Sequence, residues 1–219
     1  MIRRALFDLH RRAVSAPRAE RVAAALAAQI GQADSFLDVG SGDGVIAADL
    51  ARRIGATRVT GVDVKLRPEP LIEIVPYDGE HLPFPDDAFE VVVLSDVLHH
   101  CAHPAAVLAD ALRVASRAVA IKDHFRFGSV SDKILLAMDV AGNAAPGVLV
   151  RGTYFSPADF MDLVQGASGH VAGLTWPLRI HDLPFRLLTW DSLQFAARIE
   201  RARPAPAAPP PSSSASETP

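Results

Sequence analysis

Two carboxylates and three glycines give this chain its first chemical signal: Asp38, Gly40, Gly42, Gly44 and Asp63. They lie in Phe36-Leu37-Asp38-Val39-Gly40-Ser41-Gly42-Asp43-Gly44 and in Val59-Thr60-Gly61-Val62-Asp63. The first stretch reads as a short apolar strand entering a turn with glycine at every second position. Val45-Ile46-Ala47-Ala48-Asp49-Leu50-Ala51 continues at helical spacing. Glycines there let a ligand approach the backbone, and a helix N-terminus points its N–H groups at that ligand. An acid at the tip of the next strand can grip a ribose diol. The chemistry is recognition of a nucleoside.

The spacing separates two cofactor classes. A dinucleotide fingerprint is G-x-G-x-x-G, whereas this turn is Gly40-x-Gly42-x-Gly44 and Val45 stands where the third glycine would fall. Asp38, two residues before Gly40, repels a diphosphate and welcomes an ammonium group. S-adenosylmethionine carries an ammonium, a carboxylate, a ribose and an adenine, and no phosphate. Backbone N–H groups over Gly40, Ser41, Gly42 and Gly44 suit the carboxylate, Asp38 the ammonium, and Asp63 both ribose hydroxyls. Two rivals stay open: an NAD(P)-dependent oxidoreductase, and a non-catalytic protein that binds the cofactor and acts through partner contacts.

Further segments follow in order. Gly61-Val62-Asp63-Val64 precedes Tyr77-Asp78-Gly79-Glu80-His81-Leu82-Pro83-Phe84-Pro85-Asp86-Asp87-Ala88-Phe89-Glu90, and then Val91-Val92-Val93-Leu94-Ser95-Asp96-Val97-Leu98-His99-His100. Together with the glycine turn, these segments resemble a class I S-adenosylmethionine-dependent methyltransferase of the ubiquinone/menaquinone-biosynthesis type (methyltransferase type 11), over roughly residues 30–125. The resemblance implies S-adenosyl-L-methionine as cofactor, Val64 beside Asp63 in the ribose segment, Asp78 and Gly79 near the adenine, and Ser95 lining the pocket.

Methyl transfer from a sulfonium is an in-line displacement that chiefly needs alignment and exclusion of water. A base is required only if the acceptor is protonated at working pH. His99, His100 and His124 are the candidates for a base or an acceptor-orienting group; the alternative is that they wall the pocket or cap a helix. His99, His100, Cys101 and His103 also place four metal-type ligands within five residues. Pro104 starts a helix only after them, and no metal is expected.

The remaining composition narrows the function class. A chain of 219 residues, 49% hydrophobic and 21% charged, suits one α/β domain. A net charge of −3 argues against a general nucleic-acid binder. Cys101 is the only cysteine, so no intramolecular disulfide forms. No stretch has the roughly 20 apolar residues of a membrane span, and no secretory h-region opens the chain. The expectation is a cytoplasmic enzyme acting on a small-molecule or lipid-like acceptor. Residues 1–21 contain Arg3, Arg4, Arg11, Arg12, Arg18 and Arg21. They read as a solvated helix face, with a cap over the cleft, a membrane-surface contact or a targeting peptide as alternatives.

These residues need a scaffold. Helices are predicted over 2–13, 17–30, 44–54 and 103–115, with strands at 36–39, 58–63, 71–75, 90–95 and 118–122. Alternation of strands and helices predicts a Rossmann-like doubly wound sheet with its site at the strands' carboxyl ends. Pro68 and Pro70 leave any helix between the second and third strands short or broken. Helical spacing continues over 129–140, and Ser156-Pro157 opens another helix as N-cap and N1. The family topology adds strands near 171–177 and 192–199, the last antiparallel, for a mostly parallel seven-stranded sheet. Tyr154 and residues 139–153 are placed as a lid over the acceptor. Leu135, Leu136, Met138, Phe155, Phe160, Met161 and Trp176 line a pocket or pack a core. The expected organisation is a helical cap over 1–30, a methyltransferase domain over 31–202 and a disordered Pro/Ala/Ser-rich tail over 203–219.

Overall fold

The computed structural model describes residues 16–143, 152–181 and 190–202. The helix predicted over 2–13 and the 203–219 tail lie outside the described residues. Within them, α1 (Ala16–Ile30) leads to β1 (Ser35–Val39), α2 (Val45–Ile54), β2 (Arg58–Asp63), β3 (Glu73–Pro76) and β4 (Phe89–Ser95). A short 3-10 turn (Leu98–His100), α3 (Pro104–Val114), β5 (Ala115–His124) and α4 (Ser129–Asn143) follow. The chain continues with α5 (Pro157–Gly166), β6 (Gly169–Thr175) and β7 (Gln194–Arg201).

The seven strands form one sheet in the order β3-β2-β1-β4-β5-β7-β6. Pairings β3-β2-β1-β4-β5 are parallel, and β7 runs antiparallel between β5 and β6. The chain reverses its strand order between β1 and β4, which opens a crevice at their carboxyl ends. That is the Rossmann-like, mostly parallel seven-stranded sheet the sequence predicted.

Strand periodicity explains why both faces need cover. Val91 and Val93 join α1 and α2 in one core cluster, with Phe36, Ala120 and Ala196. Val92 and Leu94 join α3 and α5 in the other, with Leu37, Ile121, Phe195 and Ala197. A central strand buried on both sides reads as a continuous β-branched run, and β4 does.

The differences from the predicted elements have local causes. Residues 64–72 form no helix, as Pro68 and Pro70 require. β3 begins at Glu73 and not at Leu71, because the Leu71 N–H donates to the Asp43 carbonyl at 2.9 Å and ties that residue to the glycine turn. β6 ends at Thr175, one residue before Trp176-Pro177, where proline has no N–H for a ladder. Ser156 does cap α5, in a reciprocal capping box with Asp159 and with Pro157 in the first turn. Leu135, Phe155 and Phe160 are buried, while Leu136, Met161 and Trp176 are exposed. Among the described residues no helix is long and apolar enough to cross a membrane.

Candidate functional site

The glycine turn follows β1 directly. Gly40, Gly42 and Gly44 all have φ between 62° and 77°, a conformation costly for residues with a Cβ. Two of them are also sterically tight. A Cβ on Gly40 would come within 2.7 Å of Val97 Cγ2, and one on Gly44 within 2.9 Å of Ile72 Cγ1. The turn is stitched to β2: the N–H groups of Gly40 and Ser41 donate to the Val62 carbonyl at 2.8 and 3.1 Å.

Asp63, at the tip of β2, already holds backbone. Its Oδ2 accepts from the Gly42 N–H at 2.8 Å and its Oδ1 from the Lys65 N–H at 2.9 Å. Each carboxylate oxygen keeps a further lone pair, so the same side chain can fix the turn and still accept from a diol. Asp78 is built likewise, its Oδ1 taking the Glu80 and His81 N–H groups at 2.8 Å each. Those bonds lower its pKa, so it stands ionised beside Gly79.

These residues open onto a cavity of about 460 Å³, lined among others by Gly40, Asp63, Val64, Asp78, Gly79, Asp96 and His100. The volume suits a nucleoside-sized ligand. Its charges are Asp63, Asp78, Glu80 and Asp96 against the single guanidinium of Arg67. A predominantly acidic wall fits a cationic ligand with a ribose and is ill suited to a diphosphate.

At the tips of β4 and β5 the chemistry changes from backbone to buried ions. Asp96 follows β4 with φ 57°. Its carboxylate accepts from Lys122 Nζ at 2.5 Å and from Arg18 of α1 at 2.7 Å. Burial works against its ionised form, but Lys122, His124 and Arg18 hold the pKa well below the carboxylate range. Lys122 is fully buried on β5. Burial lowers its pKa, and Asp96 opposes the shift.

Behind this pair lies a second chain of contacts. His99 Nδ1 lies 2.6 Å from Asp123 Oδ1, and its Nε2 lies 3.3 Å from Asp139 Oδ2 on α4. The Tyr154 hydroxyl donates to that Asp139 oxygen at 2.6 Å. Burial lowers the His99 pKa, yet Asp123, with help from Asp139 and Asp96, pushes it up to about 10. The His100 ring lies 4.1 Å, centroid to centroid, from that of His99. Burial and then the His99 charge keep it neutral more readily than a free imidazole.

The sequence-predicted residues therefore separate into groups. Gly40, Asp63, Val64, Asp78, Gly79 and His100 meet at the cavity wall. Gly42 and Gly44 shape the turn behind it. Ser41 packs its side chain against Gly61, and the buried Ser95 hydroxyl has no hydrogen-bond partner among the described residues. Asp38 is buried beneath the turn, and burial pushes its carboxyl up to about 7, the Ser41 hydroxyl opposing and the Asp63 charge adding. His99 and His124 are buried behind the wall. Cys101 donates from Sγ to the Val97 carbonyl, and His103 is exposed. Sequence reasoning did not single out Asp96, Lys122 or Asp139. Lys122 was detectable as a charge inside an apolar strand, which demands a partner. Asp139 gave no local signal.

Comparison with known proteins agrees with this geometry. Residues 37–118 match the family described as Methyltransferase domain. No curated protein matches the chain. Among solved structures, a chain of the Haloferax volcanii complex containing the Trm112 methyltransferase activator aligns with TM-score 0.66 and 16% identity. That alignment covers 84% of this chain and 90% of that one. A geranyl diphosphate C-methyltransferase from Streptomyces coelicolor A3(2), solved with S-adenosyl-L-homocysteine, has TM-score 0.61 and 15% identity, covering 82% of this chain and 76% of its own. An S-adenosylmethionine-dependent methyltransferase from Mesorhizobium loti has TM-score 0.59 and 14% identity, covering 82% and 96%. Likeness at this identity speaks for the fold, and the match of residues 37–118 to a methyltransferase domain supports S-adenosylmethionine as the cofactor.

Proposed function

We propose that this chain, with its methyltransferase domain over residues 37–118, moves the methyl group of S-adenosylmethionine to a small-molecule or lipid-like acceptor held beside His100. The observation that carries the reading is one cavity, at the β1–β4 crossover, lined by Gly40, Asp63, Asp78, Asp96 and His100 together. The cofactor supplies a sulfonium-activated methyl group. The chain's residues bind and orient. Asp63 accepts from the ribose hydroxyls while it anchors the Gly42 N–H. Asp78 and Gly79 flank the adenine.

The aminoacyl end goes to Asp96, which lines the cavity and whose carboxylate complements an ammonium, with Asp38 buried beneath the turn. Of the three candidate histidines, His100 is the acceptor-facing group, since it alone lines the cavity. The resemblance to the ubiquinone/menaquinone type rests on the motif run from Asp38 to His100 and favours a lipid-like or quinone-like acceptor. The lone cysteine suits a reducing, cytoplasmic setting.

Calorimetry with S-adenosylmethionine and with NAD(P)H tests the first step. Saturable binding of the methyl donor alone supports the reading, and preference for the dinucleotide overturns it. One observation favours that rival: the Arg67 guanidinium carbon lies 3.5 Å from where a Gly42 Cβ would stand, close enough to the turn to meet a phosphate. Mass spectrometry of extract incubated with enzyme and isotopically labelled methyl donor then identifies the acceptor. Tight cofactor binding with no labelled product would favour a non-catalytic role.

A further inference from the structure

Three buried polar atoms around His99 have no hydrogen-bond partner among the described residues, His100 Nδ1, His124 Nδ1 and Asp123 Oδ2, while His99 Nε2 faces only Asp139 Oδ2 at 3.3 Å. Native proteins rarely leave such atoms orphaned, and a missing ion is one recognised reason. His99, His100 and Asp139 each offer one ligand-type atom, and these atoms all lie within 4.8 Å of one another. His99 Nε2 and Asp139 Oδ2 are 3.3 Å apart. Ligand atoms at about 2.0–2.2 Å from a tetrahedral metal lie roughly 3.3–3.5 Å from each other. The flanking bonds match as well. Asp123 holds His99 Nδ1 at 2.6 Å, which leaves Nε2 as the metal-facing nitrogen. The Tyr154 hydroxyl donates to Asp139, as ligating carboxylates usually require.

We propose that His99, His100 and Asp139 bind one divalent transition-metal ion, oriented by Asp123 and Tyr154, at the wall of the acceptor cavity. Two imidazoles and one carboxylate select an ion such as zinc, cobalt(II) or iron(II) over magnesium or calcium, which want oxygen ligands. Three protein ligands leave a position open. Because His100 lines the cavity, an acceptor there stands beside the ion. The site rests on the methyltransferase reading only for its role. It would take an acceptor with a hydroxyl or enol oxygen: a bound cation would lower that oxygen's pKa so that its proton passes to solvent, and the oxygen would then form the O–CH3 bond as the S–CH3 bond breaks and S-adenosylhomocysteine leaves. The ligand set differs from the one suggested by sequence spacing: Cys101 and His103 drop out, and Asp139, remote in sequence, replaces them.

The test uses the full chain, stripped with chelator and titrated with Co2+, Zn2+ and Mg2+. One equivalent of Co2+ is expected to bind with a visible d–d absorption band that Zn2+ abolishes and Mg2+ does not. His100→Ala and Asp139→Ala, each checked for native circular dichroism, are expected to weaken Co2+ binding tenfold or more. Folded wild-type protein that takes up no ion overturns the site and leaves His99 as a plain imidazolium between two carboxylates. Unchanged uptake in both variants also overturns it. S-adenosylmethionine binding is measured on the same samples. If it persists without metal uptake, only the metal site fails; if it is absent, the methyltransferase reading fails.

Discussion

The two sides of the crevice are built by opposite means. On the β1–β2 side, the turn is held by backbone: Gly40 and Ser41 donate to Val62, and Asp63 accepts from Gly42 and Lys65. Few side chains are involved, and all lie within 30 residues of sequence. On the β4–β5 side, Arg18, Asp96, His99, Lys122, Asp123, Asp139 and Tyr154 form a largely buried ionic assembly drawn from α1, the turn after β4, β5, α4 and the segment before α5. Apart from its glycines, the backbone-held turn tolerates side-chain change, but a buried ion tolerates almost none, since a lone charge left behind keeps its desolvation penalty. The cofactor side should therefore lose affinity before it loses stability, and the ionic side the reverse.

Lys122→Met gives that contrast its hardest test. The side chain is fully buried and its ammonium sits 2.5 Å from Asp96, so removal leaves Asp96 with Arg18 as its near cation. A loss of roughly 3–5 kcal/mol in urea unfolding is expected. Adding Asp96→Asn should return part of it, because the uncompensated charge goes too. If the double variant is no more stable than the single, the two sides differ less than the geometry implies.

Asp38 is the one buried acid on the cofactor side, and no cation pairs with it among the described residues. Its carboxyl is raised from an ordinary 3.8 to about 7. The folded protein therefore keeps a proton that the unfolded chain has released, between about pH 4 and pH 7. Stability from this site is complete below that window and is lost as pH rises through it. The loss is on the order of 4 kcal/mol, since each pKa unit is worth about 1.4 kcal/mol. Asp38→Asn lacks the titration, so its melting temperature relative to wild type should climb between pH 5 and pH 8. A difference that stays flat with pH would mean that Asp38 is ionised throughout and that a hidden ion pair exists on this side too.

Asp63→Ala should show the cofactor side's own signature. Losing two charge-assisted bonds to the diol is expected to cost about 2–4 kcal/mol of S-adenosylmethionine binding. Calorimetry on the folded variant measures it, and unchanged affinity removes Asp63 from the ribose.

The same contrast explains what could be read from the chain alone. Glycines at 40, 42 and 44, the acid at 63 and the β-branched run of β4 are local patterns whose meaning is set by neighbours in sequence. The doubly wound sheet class followed from them because strands alternating with helices leave few architectures open, while the strand order came only from the structure. The polar assembly was only half visible. The His99-His100 pair and His124 could be named, but Asp139 meets His99 from 40 positions away and Arg18 meets Asp96 from 78. No spacing rule links such pairs; the fold alone brings them together. Lys122 was the one legible clue, an ammonium in the middle of a buried strand.

Ser156→Ala supplies the small control that keeps the comparison fair. Ser156 Oγ accepts from the Asp159 N–H at 3.1 Å, and Asp159 Oδ2 accepts from the Ser156 N–H at 2.9 Å. This capping box opens α5, away from the cavity lining. Losing an N-cap hydroxyl typically costs about 1 kcal/mol, and Arg126 at 3.2 Å from Asp159 should hold the remaining carboxylate in place. Thermal unfolding should therefore shift modestly while S-adenosylmethionine affinity stays at the wild-type value. If affinity falls with stability here as well, then cofactor binding reports global stability, and the separate signatures expected of Asp63 and Lys122 would no longer distinguish the two sides.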